Sequence, residues 1–167
     1  MKKITLITIT AFTLFISSCH RESTNVCPGT PMATWKVDGE SQKCITYVYT
    51  HAGTASNFSL SNCGGDETKL LQFIFIPYPP VVGSTPLAWD GNLSNWNGLS
   101  GGGQYILDDT NRRYYTDSTT HTGSFDIASV NTTDKTITGT FHFNALQVGG
   151  AGTVHVTDGV FTSMKYE

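Results

Sequence analysis

The sequence predicts an all-β fold, either an antiparallel sandwich or a partly open barrel of about eight to ten strands. Short runs rich in Thr, Val, Ile, Phe and Tyr are separated by Gly, Asn, Asp and Pro, which is the pattern of strands joined by turns. No long stretch of the 167 residues has helical periodicity. Charged residues make up only 14% of the chain, well below the roughly 25% of an average soluble domain, which disfavours a helical bundle.

Nine segments carry the strand signal. They are residues 33–38, 43–50, 56–62, 69–76, 103–108, 112–116, 122–130, 136–145 and 152–165.

The last three segments have the clearest alternation of apolar and polar residues, which is typical of strands with one buried face. We expect Phe125 to pair with Phe141, and Phe143 to pair with Val154, because this register keeps the apolar side chains on one face. Val156 and Phe161 are both apolar but lie five positions apart, an odd offset that would place them on opposite faces of a regular strand. The sequence therefore predicts a β-bulge at Asp158-Gly159, with the glycine taking a positive φ.

Residues 77–102 form the expected long loop. They contain four of the six prolines, together with Trp89, Trp96 and a run of glycines. Loops above about 12–15 residues are usually functional or mobile.

The N-terminal segment predicts export. Met1-Lys2-Lys3 is basic, and the uncharged stretch that follows is too short to span a membrane as a helix. Ile16-Ser17-Ser18-Cys19 resembles a bacterial lipobox, which implies cleavage before Cys19 and lipidation of its sulfur. We therefore expect a signal peptide over 1–18, a lipidated tether over 19–31 and one domain over 32–167, held at the outer membrane on its periplasmic face or at the cell surface.

The other cysteines would enter an oxidising compartment, where disulfides persist. A tight turn at Gly53-Thr54 would set Cys44 opposite Cys63, which favours that pair. Pairing of Cys27 with either of them is the alternative. No Cys-x-x-Cys motif supports redox chemistry.

Four segments carry a family resemblance. They are Ala33–Gly39, Gly103–Leu107, Thr122–Ile127 and the hairpin Thr138–Phe161. Together they resemble small all-β lipoproteins of Bacteroidota that are catalogued as a domain of unknown function. The resemblance implies an all-β envelope protein and provides no catalytic residue to carry over. Asp117-Ser118-Thr119 is similar to the O-glycosylation sequon of Bacteroidota, which makes Ser118 a candidate modification site.

Aromatic side chains are the main candidates for binding. Trp89, Trp96, Tyr78, Tyr114 and Tyr115 would stack on sugar rings or contact a partner if exposed, and would fill one end of the domain if buried. The sequence thus favours an envelope-anchored lipoprotein with a non-catalytic binding or accessory role toward a glycan or an envelope protein. A hydrolase with its site at a barrel mouth, or a purely structural lipoprotein, is the alternative.

The sequence gives little support for metal binding, nucleophilic catalysis or nucleic-acid binding. The expected register sets His142 opposite His155, with Asp126 across the next strand as a further candidate ligand. Two histidines are too few for a metal site, so no metal or cofactor is expected. No Gly-x-Ser-x-Gly motif is present. The net charge of −3 gives no electrostatic basis for nucleic-acid binding.

Overall fold

The computed structural model describes residues 32–62, 69–89, 100–107 and 112–167, apart from the side chains of residues 44–46 and 62. Within these ranges the chain forms ten β-strands and no helix, which confirms the all-β prediction. The strands are β1 (Ala33–Val37), β2 (Glu40–Ala52), β3 (Ala55–Asn62), β4 (Lys69–Pro77), β5 (Gly83–Leu87), β6 (Gly102–Leu107), β7 (Arg112–Tyr115), β8 (Gly123–Asn131), β9 (Thr136–Gln147) and β10 (Thr153–Lys165).

The strands form one strongly curled antiparallel sheet, in the order β10-β1-β2-β3-β4-β6-β7-β9-β8-β5. An additional pairing between β9 and β10 brings eight of the strands into a ring, with β8 and β5 extending from it. The β7–β9 contact consists only of the pairs Tyr114–Gln147 and Tyr115–Leu146, so the barrel is partly open there.

Strand β5 lies inside the segment that the sequence predicted to be a loop, so that prediction was wrong for 83–87. The strand pairs with β8 and occupies one end of the sheet order. Pro86 has no N–H to donate, a property that confines proline to edge strands. The Pro86 carbonyl instead accepts a hydrogen bond from the Gly101 amide at 2.8 Å. Because this segment lacks apolar alternation, the sequence carried no usable strand signal here.

A cluster of phenylalanines forms the centre of the core. The ring of Phe125 on β8 lies 4.8 Å from Phe73, 4.8 Å from Phe161 and 5.7 Å from Phe58, measured between ring centroids. All four side chains are fully buried. Since these residues come from β3, β4, β8 and β10, the cluster joins opposite parts of the curled sheet.

The predicted register of the C-terminal strands is correct in one pair and wrong in the other. Phe125 pairs with Phe141 as expected. Phe143 pairs with Val156 rather than Val154, a shift of two residues. Because side chains alternate with a period of two, this shift leaves every apolar side chain on its predicted face. The predicted pair was wrong because the glycine-rich sequence between β9 and β10 does not define the length of the hairpin loop.

The predicted bulge in β10 is confirmed, but the two residues have different roles from those expected. The register shifts between Val156 and Gly159, and Asp158, not Gly159, adopts the positive φ of 52°. Gly159 is needed for space, since a Cβ there would lie 2.3 Å from the Phe141 ring. The same strand has a second, unpredicted shift between Phe161 and Met164.

Candidate functional site: the barrel mouth

One end of the barrel opens into a cavity of about 420 Å³, which we call the barrel mouth. It is reached where the β1–β2 turn, the start of β4, the end of β6 and the starts of β7 and β10 meet. Its polar and aromatic lining includes Asp38, Glu40, Lys69, Tyr105, Arg112 and Tyr114.

Both signs of charge are therefore present around a concave site of the size that small-molecule pockets have, about 300–1,000 Å³.

The acidic wall is built by a two-residue hairpin turn. Asp38 and Gly39 both have positive φ, at 49° and 87°, which fits the turn type that an Asp-Gly pair favours between strands. Val37 pairs with Glu40 across this turn, so the Glu40 side chain shares the inward face of the buried Val37. The Asp38 carboxylate accepts a hydrogen bond from the His155 amide at 2.9 Å, which fastens the turn to β10.

The basic wall is built by three neighbouring strands in register. Lys69 on β4 pairs with Leu107 on β6, and Leu107 pairs with Arg112 on β7, so the three side chains share one face at the rim. Two residues deeper, Tyr105 pairs with Tyr114, and their ring centroids lie 6.1 Å apart. The wall thus has cations at the rim above a row of tyrosines.

Tyr105 is protonated at neutral pH. Burial raises the pKa of Tyr105 to about 12, and the negative charges of Asp38 and Glu40 add to the rise. Tyr105 therefore faces the mouth as a neutral hydroxyl that is able both to donate and to accept a hydrogen bond.

A second depression, of about 550 Å³, lies on the outer face of β1 and β2. The Lys36 amine there is already paired with Asp158 at 2.9 Å. Lys43 is an exposed residue of this outer face.

The four predicted aromatic binding residues that the structure describes do not form one site. Trp89 is only 8% exposed and packs edge-on against Phe75 at 4.9 Å between centroids, so it fills the core and presents no ring face to a ligand. Tyr114 is also buried, in the wall of the barrel mouth. Tyr115, its neighbour on β7, points to the opposite face of the sheet.

Tyr78 lies at the other end of the barrel from the mouth. It is half-buried and stacks on the His51 ring at 4.1 Å between centroids. Trp96 lies outside the described residues.

The predicted His142–His155 juxtaposition is wrong. His155 pairs with Asn144 and its ring lies 2.8 Å from the Asn144 amide oxygen, because of the two-residue register shift described above. His142 lies instead 3.3 Å from the Ser124 hydroxyl. Within the described ranges, no group of three or more His, Cys, Asp or Glu side chains is arranged to hold a metal ion.

Ser124, Asp126 and His142 form a small polar cluster on the outer face of β8 and β9. The Ser124 hydroxyl donates to Asp126 at 2.5 Å and also lies next to the His142 ring. The serine therefore sits between the acid and the histidine. In a catalytic triad the histidine must sit in the middle to take the serine proton, so this order does not activate the serine.

The loop that carries Ser118 is held by Asp117. Burial alone raises the pKa of the Asp117 carboxyl, but hydrogen bonds from the His121, Thr119 and Thr120 amides and from the His121 ring outweigh it and hold the pKa well below its usual value. Ser118 itself is exposed at the tip of this loop.

The expected lipid and disulfide sites fall largely outside the described part of the chain. This applies to Cys19, Cys27 and Cys63. The predicted tight turn at Gly53-Thr54 is present, but a register shift between Cys44 and Thr46 sets the Cys44 backbone opposite Asn62, the residue before Cys63. Among the described residues, no helix is long and apolar enough to cross a membrane.

The comparison with known families concerns the C-terminal part of the chain. Residues 98–165 match a family described as a domain of unknown function, DUF6252. The matched segment runs from β6 through β10 and contains three of the four segments on which the expected resemblance was based, leaving out Ala33–Gly39. No curated protein and no solved structure matches.

Sequence reasoning missed most of the barrel mouth. Its residues come from three separate segments, the turn with Asp38 and Glu40, the start of β4 with Lys69, and β6 with Tyr105, and only the pairing of the strands brings these segments together. The Asp38-Gly39 dipeptide was a recognisable turn signal, but nothing in it indicated that the turn borders a cavity.

Proposed function

We propose that this chain is an envelope-anchored lipoprotein with a non-catalytic binding role, and that its ligand occupies the barrel mouth. The observation that supports this proposal is the cavity of about 420 Å³ between an acidic and a basic wall. Concave sites with a few convergent polar groups are the usual places for small ligands. The burial of Trp89 moves the proposed site away from the loop of residues 77–102.

The envelope location belongs to the same proposal. Cys19 would carry the lipid, residues 19–31 would tether the domain to the outer membrane, and the chain would come from the Bacteroidota. Strand β1 runs from Ala33 toward the mouth at Val37, so the chain enters the barrel from the end away from the mouth. This direction favours a mouth that faces away from the anchored membrane. Replacing Cys19 with Ser should move the protein from the membrane fraction to the soluble fraction.

Binding is favoured over hydrolysis. The described lining of the mouth includes the carboxylates Asp38 and Glu40 but no histidine. The cluster of Ser124, Asp126 and His142 lies on the outer face and has the wrong order for nucleophilic catalysis.

A blocking substitution tests the proposed site. Glu40 and Lys43 lie on the same strand, but Glu40 faces the mouth and Lys43 faces outward. The mature chain with Cys19→Ser would be screened by NMR against oligosaccharides, amino acids and short peptides. We expect a ligand whose binding is abolished by Glu40→Trp and unchanged by Lys43→Trp. Equal binding to both variants, or no binder at all, would contradict the proposal, and the second result would favour a purely structural lipoprotein.

A further inference from the structure

We infer that the loop of residues 78–82 contacts the bilayer to which the chain is anchored and inserts the side chains of Val81 and Val82 into it. This inference rests on the proposed lipid anchor at Cys19. It adds a second functional surface to the domain, away from the barrel mouth, and names a lipid surface as its partner.

Val81 and Val82 are unusually exposed for apolar residues. They are 61% and 65% exposed, and they are neighbours in the sequence. The other exposed large apolar residues in the described part of the chain, Val48, Val148 and Val160, each stand alone. An isolated exposed valine is ordinary on a protein surface. The adjacent pair presents a continuous apolar surface, for which contact with lipid is favourable.

The loop holds this pair in a fixed position. The Tyr78 amide donates to the Thr54 carbonyl at 2.8 Å, and the Tyr78 ring stacks on the exposed His51 ring at 4.1 Å between centroids. Pro80 is buried, and Gly83 begins β5, which pairs with β8. Because both flanks are tied to the barrel, the loop is ordered before it meets a partner, and contact costs little further entropy.

The loop and the N-terminal tether leave the sheet at the same end of the barrel. One row of cross-strand partners links the start of β5 to the start of β1: Gly83–Ile127–Gly139–Phe161–Ala33. Each step in this row is antiparallel, so after four such steps β5 runs in the same direction as β1. Val82 and Met32, which precede these two strands, therefore emerge on the same side of the row. Since adjacent strands lie about 4.8 Å apart, the two strand starts are within about 19 Å of each other.

The proposed anchor brings the bilayer to this end of the barrel. Residues 19–31 span at most about 45 Å even when fully extended. They join the domain at Met32, whose carbonyl accepts a hydrogen bond from the Thr162 amide at 2.8 Å. The loop is therefore within reach of the anchored bilayer, whereas the mouth lies at the other end of the strands. Because the anchor keeps the loop close to lipid, even a weak apolar contact becomes populated.

The first test measures which end of the barrel meets the lipid. The mature Cys19→Ser chain with an N-terminal polyhistidine tag would be bound to phosphatidylcholine vesicles that contain a nickel-chelating lipid, with or without brominated acyl chains. We expect brominated lipid to quench the added emission of Val82→Trp and to leave that of Val148→Trp unchanged. Val148 is the matched control because it is 62% exposed and its amide donates to the Arg113 carbonyl, next to the mouth residue Arg112.

The second test measures how much the valines contribute to membrane affinity. A single myristoyl chain gives only marginal membrane binding, so a mature Cys19→Ser chain that carries one on its N-terminal amine reports any additional contact. Replacing both Val81 and Val82 with Ser should weaken its partition into phosphatidylcholine vesicles by about tenfold, because two apolar side chains no longer leave water. Val148→Ser should leave the partition unchanged.

The outcomes separate this inference from the proposed function. Equal quenching of the two tryptophan variants, quenching of neither, or a partition that the double serine substitution does not change would overturn the inference and leave the anchor and the mouth unaffected. Recovery of the protein from cells with Cys19 unlipidated would overturn both the proposed anchor and this inference.

Discussion

Replacing Phe125 with Ala tests whether the curled sheet is held together at its centre. The ring is fully buried and lies within 6 Å of Phe58, Phe73 and Phe161, counted between centroids. Truncating a buried phenylalanine costs about 3–5 kcal/mol, from lost transfer energy and the cavity left behind. Domains are stable by only about 5–15 kcal/mol, so this one change should remove a large part of the stability.

The assay is equilibrium unfolding in urea, followed by circular dichroism. With a slope of about 2 kcal/mol/M, a loss of about 4 kcal/mol lowers the midpoint by about 2 M. Val160→Ala is the matched control, because Val160 is 44% exposed and should shift the midpoint little. A loss below about 1 kcal/mol for Phe125→Ala would refute the packing described here, since a ring in contact with three others is not removed at so small a cost.

Three further predictions follow from local geometry. Gly159→Ala should destabilise the fold by about 1–3 kcal/mol and lower the melting temperature, because the new Cβ would lie 2.3 Å from the Phe141 ring; an unchanged melting temperature would contradict the close approach. Asp117 has a lowered pKa in the folded state, so its contribution to stability is present above the unfolded pKa of about 3.9 and is lost as the pH falls below it. Asp117→Asn should therefore lower the free energy of unfolding at pH 6 and make it fall less steeply between pH 4 and pH 2. Equal slopes for the two proteins in that pH range would contradict this prediction. Tyr105→Phe should remove a phenol that ionises near pH 12 in an ultraviolet titration. If the substitution instead removes an absorbance change near pH 10, Tyr105 is not buried as described.

The sequence predicted the strands best where apolar side chains alternate without interruption. All nine predicted strands have counterparts, and the Phe125–Phe141 pair and the bulge after Val156 are confirmed. These features are set by local periodicity and by the need to keep one face buried, and both can be read from neighbouring residues.

The failures involve features that local periodicity does not determine. Strand β5 was missed because Pro86 argues against a strand unless the position is at an edge, which only the whole sheet defines. The Phe143–Val156 pair was misplaced because residues 148–152 allow more than one hairpin length. The barrel mouth was missed because Glu40, Lys69 and Tyr105 are far apart in sequence and meet only after the sheet curls.

The most direct test of the proposed binding role is to map by NMR where a ligand found in the screen of oligosaccharides, amino acids and short peptides perturbs the backbone amides of the mature chain. The barrel-mouth account predicts that the largest shifts occur at Glu40, Lys69 and Tyr114, and that Glu40→Trp removes them. Shifts confined to the region of Tyr78 and Val82, with the mouth amides unchanged, would contradict it.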